Sequence, residues 1–223
     1  MGLSHSPSIV MNGLVLCLDA GNTRSYPGSG TTWADLSGNR NSGTLTNGPT
    51  YSSANGGSIV FDGANDYTDC SSPSSLQITV GTISAWFNAT NANSGYCPIL
   101  IKENAWSLYV LGNILITYDW GGGGNRSTGI TVGNSTWNYA AMTFTETVGT
   151  PSNNAIIYLN GSAVLTTTVK NVSQLLPVEI GGTPRNSGQW LNGRVSQASI
   201  YNRVLTASEV RQNFNATRGR FGI

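Results

Sequence analysis

The feature that most constrains the fold is the C-terminal end, where a strand-like run leads directly into the only convincing helix pattern of the chain. Thr206 followed three residues later by Glu209 forms a capping box, which predicts that a helix begins there. The preceding run, Arg194–Tyr201, is a predicted strand whose alternate side chains face opposite sides. The two predicted faces carry Val195, Gln197, Ser199 and Tyr201 on one side and Ser196, Ala198 and Ile200 on the other. A single short helix after a last strand is typical of a chain otherwise built from strands.

The rest of the chain consists of short strand-like runs separated by turn residues. Many runs alternate β-branched or aromatic residues with polar ones, which is the period of a strand with one buried face. Gly112-Asn113 and Asn160-Gly161 are predicted two-residue hairpin turns, because both residue types tolerate positive φ. No strand–helix alternation occurs, so a parallel α/β fold is excluded and two stacked antiparallel sheets are predicted. The predicted strands are Leu14–Leu18, Ile59–Asp62, Ile78–Phe87, Ile99–Ile101, Trp106–Leu111, Ile114–Tyr118, Trp137–Phe144, Ala155–Leu159, Ala163–Val169, Val178–Ile180 and Arg194–Tyr201.

A single sandwich over residues 13–217 is the predicted domain organisation, because no linker divides the 223 residues. Residues 1–12 lack periodicity and are predicted to be an N-terminal arm, and residues 218–223 to be a basic C-terminal tail. Ile9, Val10 and Met11 make the arm partly apolar. We therefore expect the arm and tail to contact partner subunits, with frayed termini as the alternative.

Composition excludes several classes of protein. Charged residues make up 9% of the chain and the net charge is +1, so the basic field of a nucleic-acid-binding protein is missing. No run approaches the roughly 18 apolar residues of a membrane span, and the first residues do not resemble a secretory signal. Cys17, Cys70 and Cys97 are expected to be small buried residues, with one disulfide pair as the alternative.

Three further motifs occur in a consistent order before the terminal strand and helix. They are Ser58–Tyr67, with Phe61-Asp62-Gly63 and Asn65-Asp66-Tyr67, then Thr82–Phe87, and then Ile156–Val164, with Tyr158-Leu159-Asn160-Gly161. Together they resemble the concanavalin A-like lectin/glucanase family, in its laminin-G-type form. The resemblance implies an all-β, two-sheet antiparallel jelly-roll sandwich with one short C-terminal helix.

The front of the chain carries a narrower resemblance. Leu16–Asn22 and Tyr26–Asn39 look like the versions of this domain found in virion proteins of tailed phages, notably marine ones. This resemblance implies a non-catalytic structural protein of a phage particle, as a capsid decoration or a fibre knob. It also implies a location in the virion, other virion proteins as partners, and a homo-oligomer.

Catalysis is not expected from the acidic and histidine residues of the chain. Glucanases of the resembled family use two carboxylates about 5 Å apart when they retain configuration, and the family places both on one strand. The four glutamates here are scattered, the Asp62, Asp66 and Asp69 group spans a turn, and His5 is the only histidine. Nucleophile–histidine pairs and histidine-rich metal sites are therefore excluded, and we predict that the protein is not an enzyme.

Calcium is the one cofactor that the resemblance brings into consideration. The last strand of the family often reads Gly-x-Ile-Asp-Glu, whereas Gly193–Gln197 has neutral residues at both acidic positions, which places the family site in doubt. Asp35 remains a candidate metal ligand, and the alternative is that it forms an Asx-turn.

The remaining candidate surface is aromatic and polar, as expected of a sugar site. Trp106 and Trp120 could instead pack in the core, as Trp86 and Trp137 are expected to do. The first predicted loop carries Tyr118, Asp119, Trp120, Asn125 and Arg126, with Glu103 and Asn104 nearby, and the second, Arg185 to Trp190, carries Asn186, Ser187 and Trp190. These two loops support the alternative function, a carbohydrate-binding module that recognises cell-surface or environmental polysaccharide.

Overall fold

A computed structural model describes residues 7–90, 95–132, 135–145, 152–185 and 188–223. Short 3-10 turns lie at Ala54–Gly56, Ser74–Leu76 and Arg218–Phe221, and the helix α1 spans Ala207–Thr217. The strands are β1 (Leu14–Asp19), β2 (Thr32–Trp33), β3 (Gly43–Thr46), β4 (Thr50–Ser52), β5 (Ser58–Asp62), β6 (Tyr67–Asp69), β7 (Gly81–Ala89), β8 (Tyr96–Lys102), β9 (Trp106–Leu111), β10 (Ile114–Asp119), β11 (Gly124–Thr131), β12 (Asn138–Phe144), β13 (Ala155–Leu159), β14 (Ser162–Thr167), β15 (Val178–Ile180), β16 (Gly182–Thr183), β17 (Gln189–Trp190) and β18 (Asn192–Tyr201).

Two eight-stranded antiparallel sheets form the sandwich. The first sheet has the order β14-β13-β12-β7-β18-β5-β4, with β1 also paired to β18, and the second has the order β11-β10-β9-β8-β15-β6-β3-β2. The hairpin β16–β17 stands beside them as a third, two-stranded sheet. The predicted all-β jelly-roll sandwich with one short C-terminal helix is therefore confirmed, as is the capping box of Thr206 and Glu209.

The main core lies between the two sheets and is built from the inward side chains of both. Its largest members are at most 1% exposed and come from β2, β5, β7, β9 and β12: Trp33, Phe61, Phe87, Trp106 and Phe144. Their burial supplies the main favourable free energy of folding. The three cysteines are buried and unpaired, as expected, and burial raises the pKa of the Cys17 thiol to about 12.

The long strand β18 contains a bulge that corrects the predicted faces. Its register with β7 shifts between Val195 and Gln197, so Val195 faces the core together with Ala198 and Ile200. The prediction that Val195 shares a face with Gln197 was wrong, because strict alternation does not hold across an extra residue.

The described parts of the predicted arm and tail contact the outer face of the first sheet through Val10 and Phe221. The backbone N–H of Val10 donates to Asn213 Oδ1 at 2.8 Å, and Tyr201 Oη donates to the carbonyl oxygen of Val10 at 2.9 Å. Phe221 stacks on Trp86 with ring centroids 4.2 Å apart. Residues 1–6 of the predicted arm lie outside the described residues. No helix within the described ranges is long and apolar enough to cross a membrane.

Several short strands were not predicted, and β11 matters most for the site. Its sequence, Gly124–Thr131, is polar apart from Ile130 and two glycines, and its residues alternate between half-buried and exposed. Because hydrophobic alternation is the main strand signal, this edge strand could not be distinguished from a loop. Asn125 and Arg126 therefore lie on a strand and not on the predicted loop.

Lys102, at the end of β8, is a lysine with no exposed surface. Its ammonium group donates to Ser72 Oγ at 3.0 Å and to the carbonyl oxygen of Leu176 at 2.6 Å. Burial lowers the pKa of Lys102 to about 8, because the charged form loses its hydration. These two hydrogen bonds thus join the segment that follows β6 to the segment that precedes β15.

We expect the stability contributed at Lys102 to depend on pH. Between pH 8 and 10.5 the unfolded chain binds the lysine proton and the folded protein does not, so the free energy of unfolding of the wild type rises with pH relative to Lys102→Met. By pH 10 the relative gain should reach about 2–3 kcal/mol. Urea unfolding of both proteins from pH 7.5 to 10 measures this difference. Lys170→Met, at the half-buried second lysine, is the control, and a difference between wild type and Lys102→Met that stays constant over this range contradicts the prediction.

Candidate functional site

The candidate site lies on the outer face of the second sheet, where three adjacent strands each contribute a tyrosine. Tyr96, Tyr109 and Tyr118 come from β8, β9 and β10, and Trp120 follows β10 directly. The ring centroids are 5.4 Å apart for Tyr96 and Tyr109, 6.2 Å for Tyr96 and Tyr118, and 5.3 Å for Tyr118 and Trp120. Alternation along the strands explains the placement, because the intervening residues face the core while these rings point outward.

Polar side chains from two other segments complete a cavity beside these rings. Its volume is about 340 Å³. We call it the aromatic pocket, and its lining residues are Tyr96, Glu103, Asn104, Tyr109, Tyr118, Trp120 and Gln189. The pocket therefore combines flat apolar surfaces with amide and carboxylate groups, which is the composition expected of a sugar site.

The turn between β8 and β9 fixes one wall of the pocket. Asn104 adopts a left-handed conformation with φ of 65°, which asparagine tolerates better than most residues. Its carbonyl oxygen accepts hydrogen bonds from the backbone N–H groups of Val172 at 2.6 Å and Ser173 at 3.0 Å. These contacts hold the turn in place and present Glu103 and Asn104 to the cavity.

Gln189 also lines the pocket. Its side-chain oxygen, Oε1, is buried and accepts no hydrogen bond within the described ranges of the chain. A side-chain amide is a hydrogen-bonding group that can pair with sugar hydroxyls.

Burial keeps the Tyr109 phenol neutral. The pKa of Tyr109 is raised well above its usual value, mainly by burial and then by the negative charge of Glu103. Its phenol therefore stays protonated at physiological pH. Farther along the same sheet, Glu179 is ion-paired with Arg185, and burial raises the pKa of Glu179 although the hydrogen bond from Arg185 lowers it.

Two of the predicted sugar ligands hold the backbone instead. The Asp119 carboxylate is ion-paired with Arg126 and accepts from the backbone N–H groups of Gly122 and Lys170, both at 2.9 Å. Arg126 Nε also donates to the carbonyl oxygen of Thr168 at 3.2 Å. Asp119 is 1% exposed and lines no part of the pocket, so its role is to fix the turn that carries Trp120.

The other predicted ligands are distributed around the pocket. Tyr118 and Trp120 line it, and Asn125 stands at its rim, where its Oδ1 accepts from Tyr96 Oη at 2.9 Å. Trp190 points away from it, with its ring 6.1 Å from that of Tyr67. Trp106 belongs to the core. Asn186 and Ser187 of the second predicted loop lie outside the described residues.

Asp35 forms a hydrogen-bonded turn. Its Oδ1 accepts from the backbone N–H groups of Cys17 at 2.8 Å and Ser37 at 2.9 Å. Its Oδ2 accepts from Ser37 Oγ at 2.7 Å and from the backbone N–H of Asn41 at 3.0 Å. These four bonds favour the Asx-turn alternative. Across the described ranges, no three His, Cys, Asp or Glu side chains group closely enough to hold a metal ion.

Comparison with known families decides the classification of the chain. Residues 62–211, more than half of the sequence, match the family model of the concanavalin A-like lectin/glucanases superfamily. The chain belongs to this superfamily. The resemblance read from its motifs is thereby confirmed at the level of the family. Comparison with curated protein sequences gives no significant match.

Solved structures of this superfamily architecture share the fold at low sequence identity. The binding domain of Paraclostridial Mosquitocidal Protein 1 has a TM-score of 0.69 and 17% identity, over 92% of this chain and 52% of that one. Trypanosoma rangeli sialidase has a TM-score of 0.69 and 17% identity, over 93% of this chain and 33% of that one. Domain 4 of AbnA, a GH43 extracellular arabinanase from Geobacillus stearothermophilus in complex with arabinotriose, has a TM-score of 0.66 and 15% identity, over 90% of this chain and 97% of that one. The chain thus spans about half and about a third of the first two proteins.

Proposed function

We propose that the chain is a non-catalytic glycan-binding module and that the aromatic pocket is its binding site. The observation that carries the proposal is the combination of adjacent outward rings with the polar side chains of Glu103, Asn104 and Gln189 in one cavity. The rings of Tyr118 and Trp120 would pack on the C–H groups of a sugar. Gln189, Asn104 and the Tyr109 phenol would exchange hydrogen bonds with its hydroxyls.

Electrostatics favours a neutral saccharide in the aromatic pocket. Glu103 is 7% exposed and is the carboxylate among the described residues that line the pocket. A carboxylate accepts hydrogen bonds from sugar hydroxyls but repels an anionic ligand. The solved domain in complex with arabinotriose shows that this architecture can accommodate a neutral oligosaccharide elsewhere in the superfamily.

The same residues argue against hydrolysis. Glycoside hydrolysis usually requires two carboxyl groups, one on either side of the scissile bond. Among the described residues that line the pocket, one carboxyl group is present, that of Glu103. Glu179, on the neighbouring strand β15, is ion-paired with Arg185. We therefore expect binding without turnover, with no release of reducing sugar from a β-glucan panel.

We expect Trp120→Ala to weaken binding to neutral glycans by about tenfold or more, because loss of a half-buried ring costs about 1–3 kcal/mol. Binding is measured on a glycan array and then by calorimetry with the strongest hit. Gln189→Met, similar in length but without the amide, should also weaken binding. Tyr51→Ala removes a half-buried tyrosine of the first sheet that packs on Tyr26 and serves as the matched control. If Trp120→Ala binds the strongest glycan hit as tightly as the wild type does, the aromatic pocket is not the binding site.

A second candidate function, a structural role in a tailed-phage particle, is favoured by the front segment 16–39. In that role the chain would be a capsid decoration or a fibre knob in the virion, as a homo-oligomer in contact with other virion proteins. Glycan binding is compatible with it, because a surface protein of a particle can also adhere to cells. Capsid and tail genes beside the coding gene support this role, whereas neighbouring genes for polysaccharide utilisation oppose it.

A further inference from the structure

A second cavity lies on the other sheet and has a different chemistry. It is on the outer face of the first sheet and has a volume of about 350 Å³. At its centre lie Asn88 on β7 and Arg194 on β18, which stand directly opposite each other in the antiparallel strand pair. We call it the arginine pocket, and its lining residues are Asn55, Asn88, Thr90, Ser135, Trp137 and Arg194.

Arg194 differs from the four arginines that form ion pairs in the structure. Arg126, Arg185, Arg203 and Arg220 each form an ion pair with a carboxylate. The half-buried Arg194 guanidinium makes neither a hydrogen bond nor an ion pair with any residue that the structure describes. A guanidinium presents five N–H donors in a planar fork, so the strongest donor group of the cavity is free to bind a ligand.

Asn88 supplies a second polar group beside the guanidinium. It is 8% exposed, it lines the cavity, and its side-chain amide has no hydrogen-bond partner in the described part of the chain. A side-chain amide can both donate hydrogen bonds to a ligand and accept them from it. The adjacent side chains of Asn88 and Arg194 therefore leave two polar groups available to one ligand.

The backbone holds this couple rigidly. β7 and β18 pair over most of their length. Gly193 allows the close approach, since a Cβ at that position would lie 2.4 Å from the carbonyl oxygen of Asn88. Trp137 closes the cavity from one side and is itself packed on Phe221, with ring centroids 4.7 Å apart. A pre-organised site of this kind loses little conformational entropy on binding.

We infer that the arginine pocket binds the carboxylate of an acidic saccharide, a uronic acid unit. The planar fork of Arg194 matches a carboxylate in a bidentate arrangement. No acidic residue is among the described residues that line the cavity, so an anion meets no repulsion there. Asn88, Thr90 and Ser135 are suited to ring hydroxyls, and the Trp137 indole to C–H groups.

One cation favours a singly charged carboxylate over a phosphate dianion, which usually recruits several positive groups. The inference does not depend on the aromatic pocket, because the two cavities lie on different sheets and have different charge preferences. The chain would then bind a neutral sugar on one sheet and an acidic sugar on the other. Such an arrangement suits a polysaccharide that contains both kinds of sugar unit.

The test is an NMR titration of the whole chain at low salt with D-glucuronate, with neutral D-glucose and with acetate. We expect glucuronate to shift the side-chain signals of Asn88, Trp137 and Arg194, and to bind at least about tenfold more tightly than glucose or acetate. Arg194→Gln should weaken glucuronate binding about tenfold. Arg194→Lys, which keeps the charge but loses the fork, should also weaken it. Arg211→Gln removes the same charge from an exposed helix position and should bind as the wild type does.

Three results would overturn the inference. Glucuronate could bind Arg194→Gln as tightly as the wild type, acetate could bind as tightly as glucuronate, or glucuronate could cause no shift at the arginine pocket. Retained dispersion of the spectra checks that the variants are folded. Because the Arg194 guanidinium has no hydrogen-bond or ion-pair partner among the described residues, its removal leaves no buried group unpaired.

Discussion

Phe221→Ala is expected to lower the free energy of unfolding by about 3–4 kcal/mol, the range for losing a buried phenylalanine ring. Phe221 is 7% exposed and stacks on Trp86 and Trp137, with centroids 4.2 and 4.7 Å away. Its loss leaves a cavity over the outer face of the first sheet, where α1 also packs. Urea unfolding followed by tryptophan fluorescence measures the effect.

Ile223→Ala provides the control for this prediction, because Ile223 is 44% exposed and lies two residues away. Its effect should stay below about 0.5 kcal/mol. If Phe221→Ala is no more destabilised than Ile223→Ala, the terminal segment is a detachable tail, as the sequence suggested, and not part of the folded unit.

Asp35→Ala is expected to lower the free energy of unfolding by about 2–4 kcal/mol, because it leaves several partly buried backbone N–H groups without acceptors. The four hydrogen bonds to its carboxylate join the turn after β2 to Cys17 of the first sheet and to Asn41. Asp62→Ala is the control. Asp62 is exposed and accepts from the backbone N–H groups of Ala64 and Asn65 in a local turn, so its loss should cost about 1 kcal/mol or less.

The same variant separates the hydrogen-bonded turn from a calcium site. If hydrogen bonds occupy the Asp35 carboxylate, addition of calcium or of a chelator should leave the melting temperature of the wild type unchanged. A calcium-dependent rise that disappears in Asp35→Ala would show that the carboxylate binds the ion, since a ligand that binds only the folded state stabilises it.

The fold could be predicted from sequence because its signals are local. The capping box at Thr206 and the Asn160-Gly161 turn each act within a few residues, and β18 follows from its alternation up to the bulge at Ser196. The polar strand β11 could not be predicted, because a strand that alternates between half-buried and exposed polar residues lacks a hydrophobic pattern. The packing of Val10 and Phe221 could not be predicted either, since it depends on partners far away in the chain, Tyr201 for Val10 and Trp86 for Phe221.

The candidate site was only partly visible in the sequence. Tyr118 and Trp120 were predicted as glycan ligands because they neighbour each other in a polar segment, with Glu103 and Asn104 expected nearby, and all four line the aromatic pocket. The partners of Asp119 could not be predicted, because a carboxylate that pairs with an arginine looks the same in sequence as one that binds a ligand.

Tyr96 and Tyr109 were missed for a different reason, whereas Gln189 lies within the second predicted loop, Arg185 to Trp190. The two tyrosines come from separate strands, and only the pairing of β8, β9 and β10 brings them together with Tyr118. Tyr109 carries one usable signal, since it is an aromatic residue on the strand face opposite the core residues Leu108 and Val110.

The central claim is that the aromatic pocket binds a glycan, and an amide NMR titration with the strongest neutral glycan hit tests it most directly. We predict saturable shifts of the Trp120 indole N–H and the Gln189 side-chain amide, together with the backbone signals of Tyr96, Tyr109 and Tyr118. Saturable shifts confined to other surfaces, or the failure of every glycan on a broad array to bind, would contradict the claim.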